Sequence, residues 1–520
     1  MDTRSTPQVI VVGAGVAGLS AALHLAERGV APLILEADPA YCGGRLQGGP
    51  TTVVEHDGRT WRFREDHGVH GIWSQYRNLN AMLARHAIRP VFVPARREAW
   101  IFGGDGRVRR AETGSALRNS WVPAPFHYLA LFARPRFLNI LTLRDLAAMP
   151  RVLVSLLAAM SIDPLREAQP LEGMSLADFT SGWSPTLQAL FAGLARNFSS
   201  AHPNEVPVAG FIAFLRFYTL LRRDEWAFSY FPADSGSAIV EPLVGRIEAL
   251  GGRVLVGAVA TRLEREEAGW RVCWQRPDGS GATGQGARHV VLAVDAPANR
   301  RILTSSLETT ALAGGLRWPP GVPVAIVRLW FRRAPAPGPA GGMFSGDFVL
   351  DNFFWLHQLQ DDFVRWHRET GGGAVEGHIY GPPSLLEEQD AVLMARAAHD
   401  VQRAYPELRG QLLTATLRRN QATHTLSRFG TAADHLGVET PWPGVMCCGD
   451  WVRHPTPALY LERACVTGID AANAVLAAEG RPPWALVEHA PPERLAAAIE
   501  RAMRRARERV RRIERARRRR

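Results

Sequence analysis

The chain has 520 residues, of which 46% are apolar and 21% are charged, and it contains five cysteines. That composition is ordinary for a globular protein larger than one domain, and it excludes a peptide, a disulfide scaffold and a disordered tail protein. The formal charge of +11 is concentrated at the C-terminus: residues 493–520 hold 13 Arg against 4 Glu, while the rest of the chain holds 48 Arg against 46 acidic residues. The sequence contains no lysine, so no mechanism of this protein uses one.

The first predicted unit is a strand, a glycine turn and a helix. Residues 9–12 are apolar and mostly β-branched, and a G-x-G-x-x-G motif follows them before an apolar helical pattern begins. Gly13 permits the tight turn, Gly15 lets a pyrophosphate approach the backbone, and Gly18 lets the helix pack closely on the strand. A second apolar strand then delivers Glu36, which is placed to accept hydrogen bonds from ribose hydroxyls. The pattern predicts a dinucleotide site without choosing between FAD and NAD.

The residues that follow the second strand favour FAD. Two further glycines bring the backbone close to a diphosphate, and an arginine next to them supplies a fixed guanidinium for it. Nicotinamide domains do not need this addition. The residues that the pattern assigns to the diphosphate are Gly43, Gly44 and Arg45.

The stretch from residue 126 to residue 160 is rich in Leu, Phe and Ala, and its four arginines stand against a single acidic residue. Its uncharged runs are too short to span a bilayer. Two interpretations remain open. The stretch could form ordinary helices of a substrate domain, or it could lie in a membrane interface, with apolar residues dipping into lipid and Arg meeting anionic headgroups.

A second cofactor segment is predicted near the C-terminus. An apolar strand ends in Gly449 and Asp450, and it is followed by the pattern E-R-A-x-x-T-G-x-x-A-A-N over residues 462–473, which is helical in character. A carboxylate and a second helix N-terminus would therefore arrive beside the cofactor. A guanidinium or a helix N-terminus at that place would also stabilise a reduced, anionic flavin.

The last residues, 479–520, are predicted to be a linker and an Arg-rich helical tail. Apolar residues recur there at intervals of three and four: Leu495, Ile499, Met503, Ala506, Val510 and Ile513. Binding to anionic lipid is the favoured interpretation, and a solvated or disordered extension is the next. Nucleic acid is disfavoured because no aromatic or base-reading element accompanies the charge.

The glycine motif, the acidic residue followed by G-G-R, the C-terminal G-D and the E-R-A pattern together resemble the FAD-dependent amine oxidase and carotenoid (phytoene) desaturase superfamily. Within it the chain most resembles the isorenieratene synthase (carotenoid φ-ring synthase) type. Four stretches carry that closer resemblance: residues 66–79, 211–218, 242–254 and 449–453.

The resemblance implies an α/β fold in which a discontinuous glutathione-reductase-like FAD-binding domain is interrupted by a mixed-sheet and helical substrate domain. The implied FAD-binding domain covers residues 1–100, 238–305 and 435–478, and the implied substrate or membrane-facing domain covers residues 101–237 and 306–434. The resemblance also implies cofactor contacts at Val16, Ala17, Ala37, His70, Val259, Gly449, Asp450 and Leu461, with the Val259 amide at the adenine.

The chemistry is predicted to be oxidation of an apolar substrate. Residues 371–377 spell a second glycine-rich motif, but they follow a charged helical stretch and are predicted to be a loop, so no second nucleotide site is expected. Electrons should then pass from the substrate to a quinone, another carrier or oxygen. Amine oxidases of the superfamily generally hold a water against flavin N5 with a lysine, and its absence disfavours an amine substrate.

A desaturase needs only a flavin that accepts hydride and an apolar site that orients a long chain and excludes water. We therefore predict FAD-dependent oxidation of a lipophilic polyisoprenoid, with a carotenoid as the favoured substrate. The reaction would be desaturation, with or without ring aromatisation and a methyl shift. Oxidation of another lipophilic or amine substrate is the alternative.

His67 and His70 are the candidate acid–base groups, because in the superfamily this segment runs past the isoalloxazine. A proton acceptor there could assist C–H cleavage or quench a carbocation. The favoured interpretation is that both histidines bond backbone or cofactor, since desaturation need not use a side-chain base. A metal site formed with Asp66 is disfavoured because the spacing supplies no fourth ligand.

The expected location is cytoplasmic and peripheral, on the inner face of the membrane. The first apolar run belongs to the glycine motif, which leaves no room for a removable leader. The cysteines form no C-x-x-C pair and are expected to be buried in a reducing compartment. A protein that escorts prenyl chains without catalysis is the alternative from another class, and the intact cofactor residues argue against it.

Overall fold

A computed structural model of the chain describes residues 7–167, 169–223, 228–426 and 435–518. The strands are β1 (Val9–Val12), β2 (Pro32–Leu35), β3 (Gly48–His56), β4 (Arg59–Asp66), β5 (Gly71–Trp73), β6 (Val93–Pro94), β7 (Glu98–Gly104), β8 (Arg107–Glu112), β9 (Phe228–Tyr230), β10 (Arg253–Leu255), β11 (Val259–Glu266), β12 (Gly269–Gln275), β13 (Thr283–Ala287), β14 (His289–Leu292), β15 (Gly321–Phe331), β16 (Gly341–Gly346), β17 (Asn352–Trp355), β18 (Gly373–Ile379), β19 (Leu412–Thr425) and β20 (Val445–Cys447).

The α-helices are α1 (Val16–Ala26), α2 (Arg77–Arg85), α3 (Gly114–Arg118), α4 (Pro135–Leu138), α5 (Leu143–Met160), α6 (Leu176–Phe179), α7 (Pro185–Ser199), α8 (Val208–Leu215), α9 (Glu241–Ala249), α10 (Ala296–Thr304), α11 (Leu307–Gly314), α12 (Asp361–Thr370), α13 (Pro383–Leu386), α14 (Asp390–Ala404), α15 (Tyr460–Ala478) and α16 (Arg494–Arg518).

The first layer is a parallel sheet with the strand order β10-β2-β1-β14-β20. Its central strands are short runs of Val, Ile and Leu whose alternate side chains enter two different cores, so both faces of the sheet are covered. Helices α1 and α15 pack on one face. The strands come from widely separated parts of the chain, and the predicted α/β class is confirmed.

The second layer is a mixed sheet with the strand order β19-β15-β18-β17-β16-β7-β8, in which only the β16–β7 pair, among the described residues, is parallel. Helix α14 and aromatic side chains of the sheet form its core. The domain boundary expected at residue 100 falls inside β7, whose strand partners all belong to this sheet. The expected boundary therefore needs to lie before residue 98.

Residues 371–377, predicted to be a loop, are instead largely strand β18, which lies between β15 and β17. The glycines there serve packing rather than a turn. A Cβ on Gly373 would lie 2.7 Å from Cα of Ala334, and one on Gly377 would lie 2.6 Å from a methyl group of Leu350. The loop prediction was wrong because close packing, and not backbone freedom, selects these glycines.

Helices α3 to α8 form a cover over the space between the two sheets. Helix α5 begins with a capping box made by Thr142 and Asp145, and it carries Pro150 in its interior. Helix α16 packs against α5, so the predicted tail is a helix that rests on the body of the protein. Within the described ranges, no helix combines the length and the apolar character that crossing a bilayer requires.

The five cysteines all lie within the described ranges, and all are free thiols. Four of them are buried, as expected, and Cys42 is half-buried.

Candidate functional site

The turn between β1 and α1 has the geometry of an anion-binding cradle. Gly13 has a φ of +100°, and a Cβ there would lie 2.8 Å from the carbonyl oxygen of Ala293. A Cβ on Gly18 would lie 1.9 Å from the carbonyl oxygen of Gly13, so the helix crosses the turn at a distance that only glycine allows. A Cβ on Gly15, in contrast, would meet its nearest neighbour, the Gly43 carbonyl oxygen, at 3.9 Å, in open space before the N-terminus of α1.

The second glycine pair lies directly against this turn. Gly43 and Gly44 have φ values of +118° and +57°, and Gly43 forms a parallel bridge with Gly15. The Gly43 amide donates to the carbonyl oxygen of Ala14 at 2.9 Å. Two backbone turns separated by almost thirty residues in sequence thus form one concave wall, as a diphosphate site requires. The predicted neighbours Val16 and Ala17 are buried in the first turn of α1.

Glu36 stands at the end of β2, beside the first turn. Its carboxylate accepts from the Ala14 amide at 2.8 Å and from the Asp38 amide at 2.9 Å. Burial raises the pKa of this carboxyl group, although these backbone donors oppose the shift. The Ala258 amide donates to the Glu36 carbonyl oxygen at 2.7 Å, which sets Val259 at the start of β11 beside the carboxylate. This arrangement fits a ribose and an adjacent adenine, while Ala37 next to it is exposed.

Arg45, near the N-terminus, contacts two residues from the C-terminal part of the chain. Its Nη2 lies 2.7 Å from Oδ1 of Asp450, and its Nη1 lies 3.2 Å from Nδ1 of His424. Burial opposes ionisation of Asp450, but the Arg45 guanidinium overcomes that effect and holds the pKa of the carboxyl group below its usual value. Gly449 precedes this carboxylate with a φ of +145°, and its amide donates to Thr467 in α15.

Arg45 was expected to offer its guanidinium to a diphosphate, and the structure adds an ion pair with Asp450 to that expectation. Leu461, also expected at the cofactor, is half-buried as the second residue of α15. The two predicted cofactor segments, which lie about four hundred residues apart in sequence, therefore meet at one place.

Six titratable side chains lie deep in the protein and yet keep solvent-accessible surface, which places them on the wall of an internal space between the two sheets. They are His67, His70, Tyr380, His424, Asp450 and Tyr460. Because this wall continues from the Arg45–Asp450 pair, the internal space adjoins the glycine cradle.

The predicted histidines are neutral groups fixed by backbone contacts. The His70 Nδ1 lies 2.5 Å from the Gly68 carbonyl oxygen and so carries the proton, and burial lowers the pKa of His70 to about 4. Burial and the nearby positive charge of Arg418 also lower the pKa of His67, whose carbonyl oxygen accepts from Asn420 at 2.7 Å. The structure thus places both histidines at the internal space, and a proton-transfer role for them stays a prediction.

One face of β19 completes the side of the space nearest these histidines. Arg418, Asn420 and His424 alternate along the strand, so their side chains share that face. With its amide oxygen turned toward the guanidinium, Gln47 accepts from Arg418 at 2.8 Å. Burial and Arg328 lower the pKa of Arg418. Arg418 is a candidate for the guanidinium that would stabilise a reduced flavin, and the sequence pattern did not single it out.

A second group that the sequence analysis missed is a buried series on β15 and β18. The Arg328 guanidinium contacts Glu376 at 2.6 Å, and the other carboxylate oxygen of Glu376 lies 2.7 Å from Nε2 of His378. Nδ1 of His378 lies 2.8 Å from the hydroxyl oxygen of Tyr380. We call these three residues of β18 and its C-terminal end, Glu376, His378 and Tyr380, the β18 relay. The sequence carried one usable signal for these residues. The two-residue period of a β-strand puts residues 376, 378 and 380 on one face once the segment is recognised as a strand.

Aromatic rings form the opposite wall. Tyr460 begins α15 with a φ of +54°, an unusual value for a residue with a side chain, and its hydroxyl donates to the Phe198 carbonyl oxygen. Its ring lies 6.0 Å from that of Tyr218, which in turn lies 5.2 Å from Phe214 and 4.7 Å from Trp73. Tyr460 and Trp73 keep accessible surface, whereas Tyr218 and Phe214 are buried in the core behind them. The side of the space that Tyr460 lines is therefore aromatic.

Comparisons with known proteins agree with this geometry. The family model described as flavin containing amine oxidoreductase matches residues 16–476. A carotenoid phi-ring synthase of Streptomyces griseus is 31% identical over 504 residues, covering 91% of this chain and 88% of that protein. A carotenoid phi-ring synthase of Chlorobaculum tepidum is 24% identical, covering 92% of this chain and 90% of that protein.

Among solved structures, the cyclohexylamine oxidase of Brevibacterium oxydans superposes with a TM-score of 0.62 at 16% sequence identity, covering 92% of this chain and all of that one. This likeness concerns the fold.

Proposed function

The chain belongs to the family of flavin-containing amine oxidoreductases and is an FAD-dependent oxidoreductase, and on that premise we propose that it oxidises a carotenoid. The reaction is desaturation of the polyisoprenoid, with or without aromatisation of a terminal ring and a methyl shift. The observation that carries the proposal is the similarity, over nine-tenths of the chain, to two proteins named carotenoid phi-ring synthase.

The residues of the cradle fit FAD. The open space before α1 accepts a diphosphate between two glycine turns, Glu36 and the start of β11 accept the adenosine end, and the Arg45–Asp450 pair marks the way toward the internal space. The bound flavin supplies a two-electron acceptor for a hydride from the substrate. The protein's part is to orient the substrate and exclude water, and the Tyr460 ring offers an apolar surface for this at the internal space.

An amine substrate is the weaker candidate. The chain has no lysine to hold a water at the flavin, and the Asp450 carboxylate, which lines the internal space, is already neutralised by Arg45. For electrons that leave the flavin, we propose a quinone or another carrier.

We also propose that the protein is cytoplasmic and rests on the inner face of the membrane by the outer surfaces of α5 and α16. Leu143 and Val154 on α5 are 85% and 63% exposed, and Val510 and Ile513 on α16 are 54% and 55% exposed. Arginines surround these apolar residues and would meet anionic headgroups. A carotenoid dissolved in lipid is then extracted at that surface.

The test is an anaerobic absorption spectrum of the detergent-purified holoprotein, before and after addition of β-carotene or γ-carotene in micelles. The expected result is bleaching of the flavin bands together with a change in the polyene bands. Flavin bands that stay unchanged with both carotenoids would contradict the substrate. A protein that neither contains nor takes up FAD would instead support the escort interpretation.

A further inference from the structure

The structure assigns to the β18 relay the removal of a proton from the substrate: we propose that Tyr380 is the catalytic base, that His378 receives its proton, and that the Glu376 carboxylate stabilises the resulting imidazolium. This inference rests on the proposed oxidation, and it concerns residues of this chain alone.

Glu376 is fixed as a carboxylate. Arg328 is 2% exposed and bonds it at 2.6 Å, and the Val69 amide donates to its second oxygen at 2.6 Å. Although burial opposes ionisation, Arg328 and His378 lower the pKa of Glu376 to about 2. A carboxylate can only accept hydrogen bonds, so Nε2 of His378, 2.7 Å away, must carry a proton.

That assignment determines the tautomer of His378. With the proton on Nε2, Nδ1 is the nitrogen left to accept, and we assign the Tyr380 hydroxyl, whose oxygen lies 2.8 Å away, as the donor to it. The order carboxylate, imidazole, hydroxyl is that of a nucleophile or base activated through histidine. Here the hydroxyl belongs to a tyrosine and faces an internal space with an apolar wall.

Tyr380 is placed to meet the substrate. Its side chain lies deep in the protein and keeps accessible surface, as do those of Tyr460 and Asp450. The Tyr380 hydroxyl accepts from Nδ2 of Asn352 at 3.0 Å and also bonds Ser200, so the Ser200 contact breaks when the oxygen accepts the substrate proton. We therefore place the base on the internal space that Tyr460 and Asp450 also line.

The step balances as follows. One carbon of the substrate would lose a hydride, with two electrons, to the FAD that serves this oxidoreductase as its oxidant. The neighbouring carbon loses a proton to the Tyr380 oxygen as the proton of that hydroxyl moves to Nδ1 of His378, and the electrons of this C–H bond become the new C=C bond. The imidazolium that results is paired with the Glu376 carboxylate, and Arg328 stays in place as the partner of that carboxylate.

The charged and titratable groups around the relay come from several elements, and each keeps its own partner. They are Arg328, Asp351 with Arg196, His70, and Tyr460. The Asp351 carboxylate bonds Arg196 at 2.8 Å and the Tyr380 amide at 2.7 Å, which orients the tyrosine without competing for its hydroxyl.

The first test uses the holoprotein with Tyr380→Phe and His378→Gln. General acid–base catalysis contributes roughly 100-fold to 10,000-fold, so each variant should bleach at least ~100-fold more slowly with carotenoid under anaerobic conditions. FAD content, the flavin absorption maxima and the change that carotenoid binding causes in them should stay as in the wild type. Tyr405→Phe is the matched control, because Tyr405, which follows α14, is a buried tyrosine that packs on Trp355 in the core of the same sheet. Bleaching of Tyr380→Phe within threefold of the wild-type rate would overturn the proposal.

The second test does not depend on turnover. Nitrogen-15 spectra of the histidine-labelled holoprotein, with His378→Gln to identify the resonance, should show a neutral ring protonated at Nε2 at pH 7.5. Tyr380→Phe should shift the Nδ1 resonance alone. A ring protonated at Nδ1, or at both nitrogens, would overturn the relay. If wild-type protein fails to bleach with any carotenoid, the proposed substrate fails, and these spectra still decide the relay.

Discussion

At the scale of single residues, Arg45 has two roles that separate experimentally. It faces the cradle, and it also compensates the charge of Asp450, whose side chain is 12% exposed. Removing one partner of a mostly buried pair leaves an uncompensated charge, which costs on the order of 3 kcal/mol.

Arg45→Ala should therefore lower FAD occupancy strongly and lower the thermal unfolding midpoint, while the fold persists. The measurements are the ratio of flavin to protein absorbance and a thermal scan with and without added FAD. Adding Asp450→Asn to Arg45→Ala should recover the unfolding midpoint and leave FAD occupancy low. Arg62→Ala, an exposed arginine on β4, is the control. Full FAD occupancy in Arg45→Ala would exclude a cofactor role for the guanidinium.

Single residues also show which roles could be predicted from sequence patterns. Gly13, Gly43 and Glu36 could be assigned because each function depends on a fixed short spacing after a strand. The β18 relay could not, because its meaning comes from Arg328, which β15 brings across the sheet from 48 residues away. The role of His67 and His70 at the flavin stays a prediction, and burial, which lowers the pKa of both, is a property that their spacing does not indicate.

At the scale of elements, helices α1 and α15 cross in close contact. This contact joins the start of the parallel sheet to the C-terminal part of the chain. A Cβ on Gly468 would lie 2.4 Å from the carbonyl oxygen of Ala17, and backbone cannot move aside easily. Gly468→Ala should thus lower the free energy of unfolding by roughly 3 kcal/mol, as overpacked cores do, and should also loosen FAD. Chemical denaturation of the FAD-loaded protein measures this loss of unfolding free energy.

Gly245→Ala is the matched comparison, because Gly245 is also a glycine inside a helix but its Cβ would meet no described atom within 4 Å. This change should stabilise the protein by about 0.5–1 kcal/mol through helix propensity. Equal effects of the two substitutions would contradict the close crossing.

The second half of α16 is the element best suited to test membrane binding. Glu493 and Glu500 in and before its first turns bond Arg223 and Arg216, so deletion from residue 493 would disturb the body as well. A chain that ends at residue 507 keeps those contacts and loses eight arginines with Val510 and Ile513.

This truncated chain should sediment at least tenfold less with vesicles that contain phosphatidylglycerol, since each arginine near such a surface contributes about 1 kcal/mol. Vesicles of phosphatidylcholine alone are the control, and FAD content should not change. Unchanged binding to the anionic vesicles would refute the lipid role of the tail.

The strands and helices also show which features of the fold could not be predicted from the sequence. The strands of the parallel sheet were found because each is a short apolar run bounded by glycine or an acidic residue. The order of the seven-stranded sheet could not be found, because its pairings join residues that are hundreds of positions apart, as β7 and β16 do. The predicted helical tail is confirmed, but its docking on α5 follows from side-chain contacts such as Arg507 with Glu167, which no periodicity contains.

At the scale of the whole molecule, buried neutral histidines make the fold sensitive to acid. Burial lowers the pKa of six of them to about 4: His24, His70, His127, His357, His424 and His489. Below pH 6.5 the unfolded chain binds protons that the folded chain does not, so stability is complete above that pH and falls as the pH drops toward 4. Asp66, whose pKa burial raises to about 7, acts in the opposite direction and offsets part of this loss. Burial also raises the pKa of five further carboxyl groups, which act as Asp66 does: Glu36, Asp295, Asp351, Asp400 and Glu462.

The thermal unfolding midpoint should therefore fall by about 3–5 °C between pH 7.5 and pH 5.0, which corresponds to a loss of several kcal/mol in a chain of this length. The measurement is a set of thermal scans at constant ionic strength, with FAD in excess. His357→Gln, away from the cofactor, should flatten part of the dependence. A midpoint that stays constant over this range would contradict the neutral state of these histidines.

The pairing of Arg45 with Asp450 sets an order of events during synthesis. Strand β20 and helix α15 are among the last elements to leave the ribosome, and without them the parallel sheet lacks its outer strand and the cradle lacks its second segment. A nascent chain can form the β1–α1 turn early, but it cannot complete the cradle until nearly the whole polypeptide has emerged. The long-range pairing of β20 with the sheet makes completion of the cradle slow. Because FAD binds the closed cradle and not the open chain, it should stabilise the finished protein by mass action.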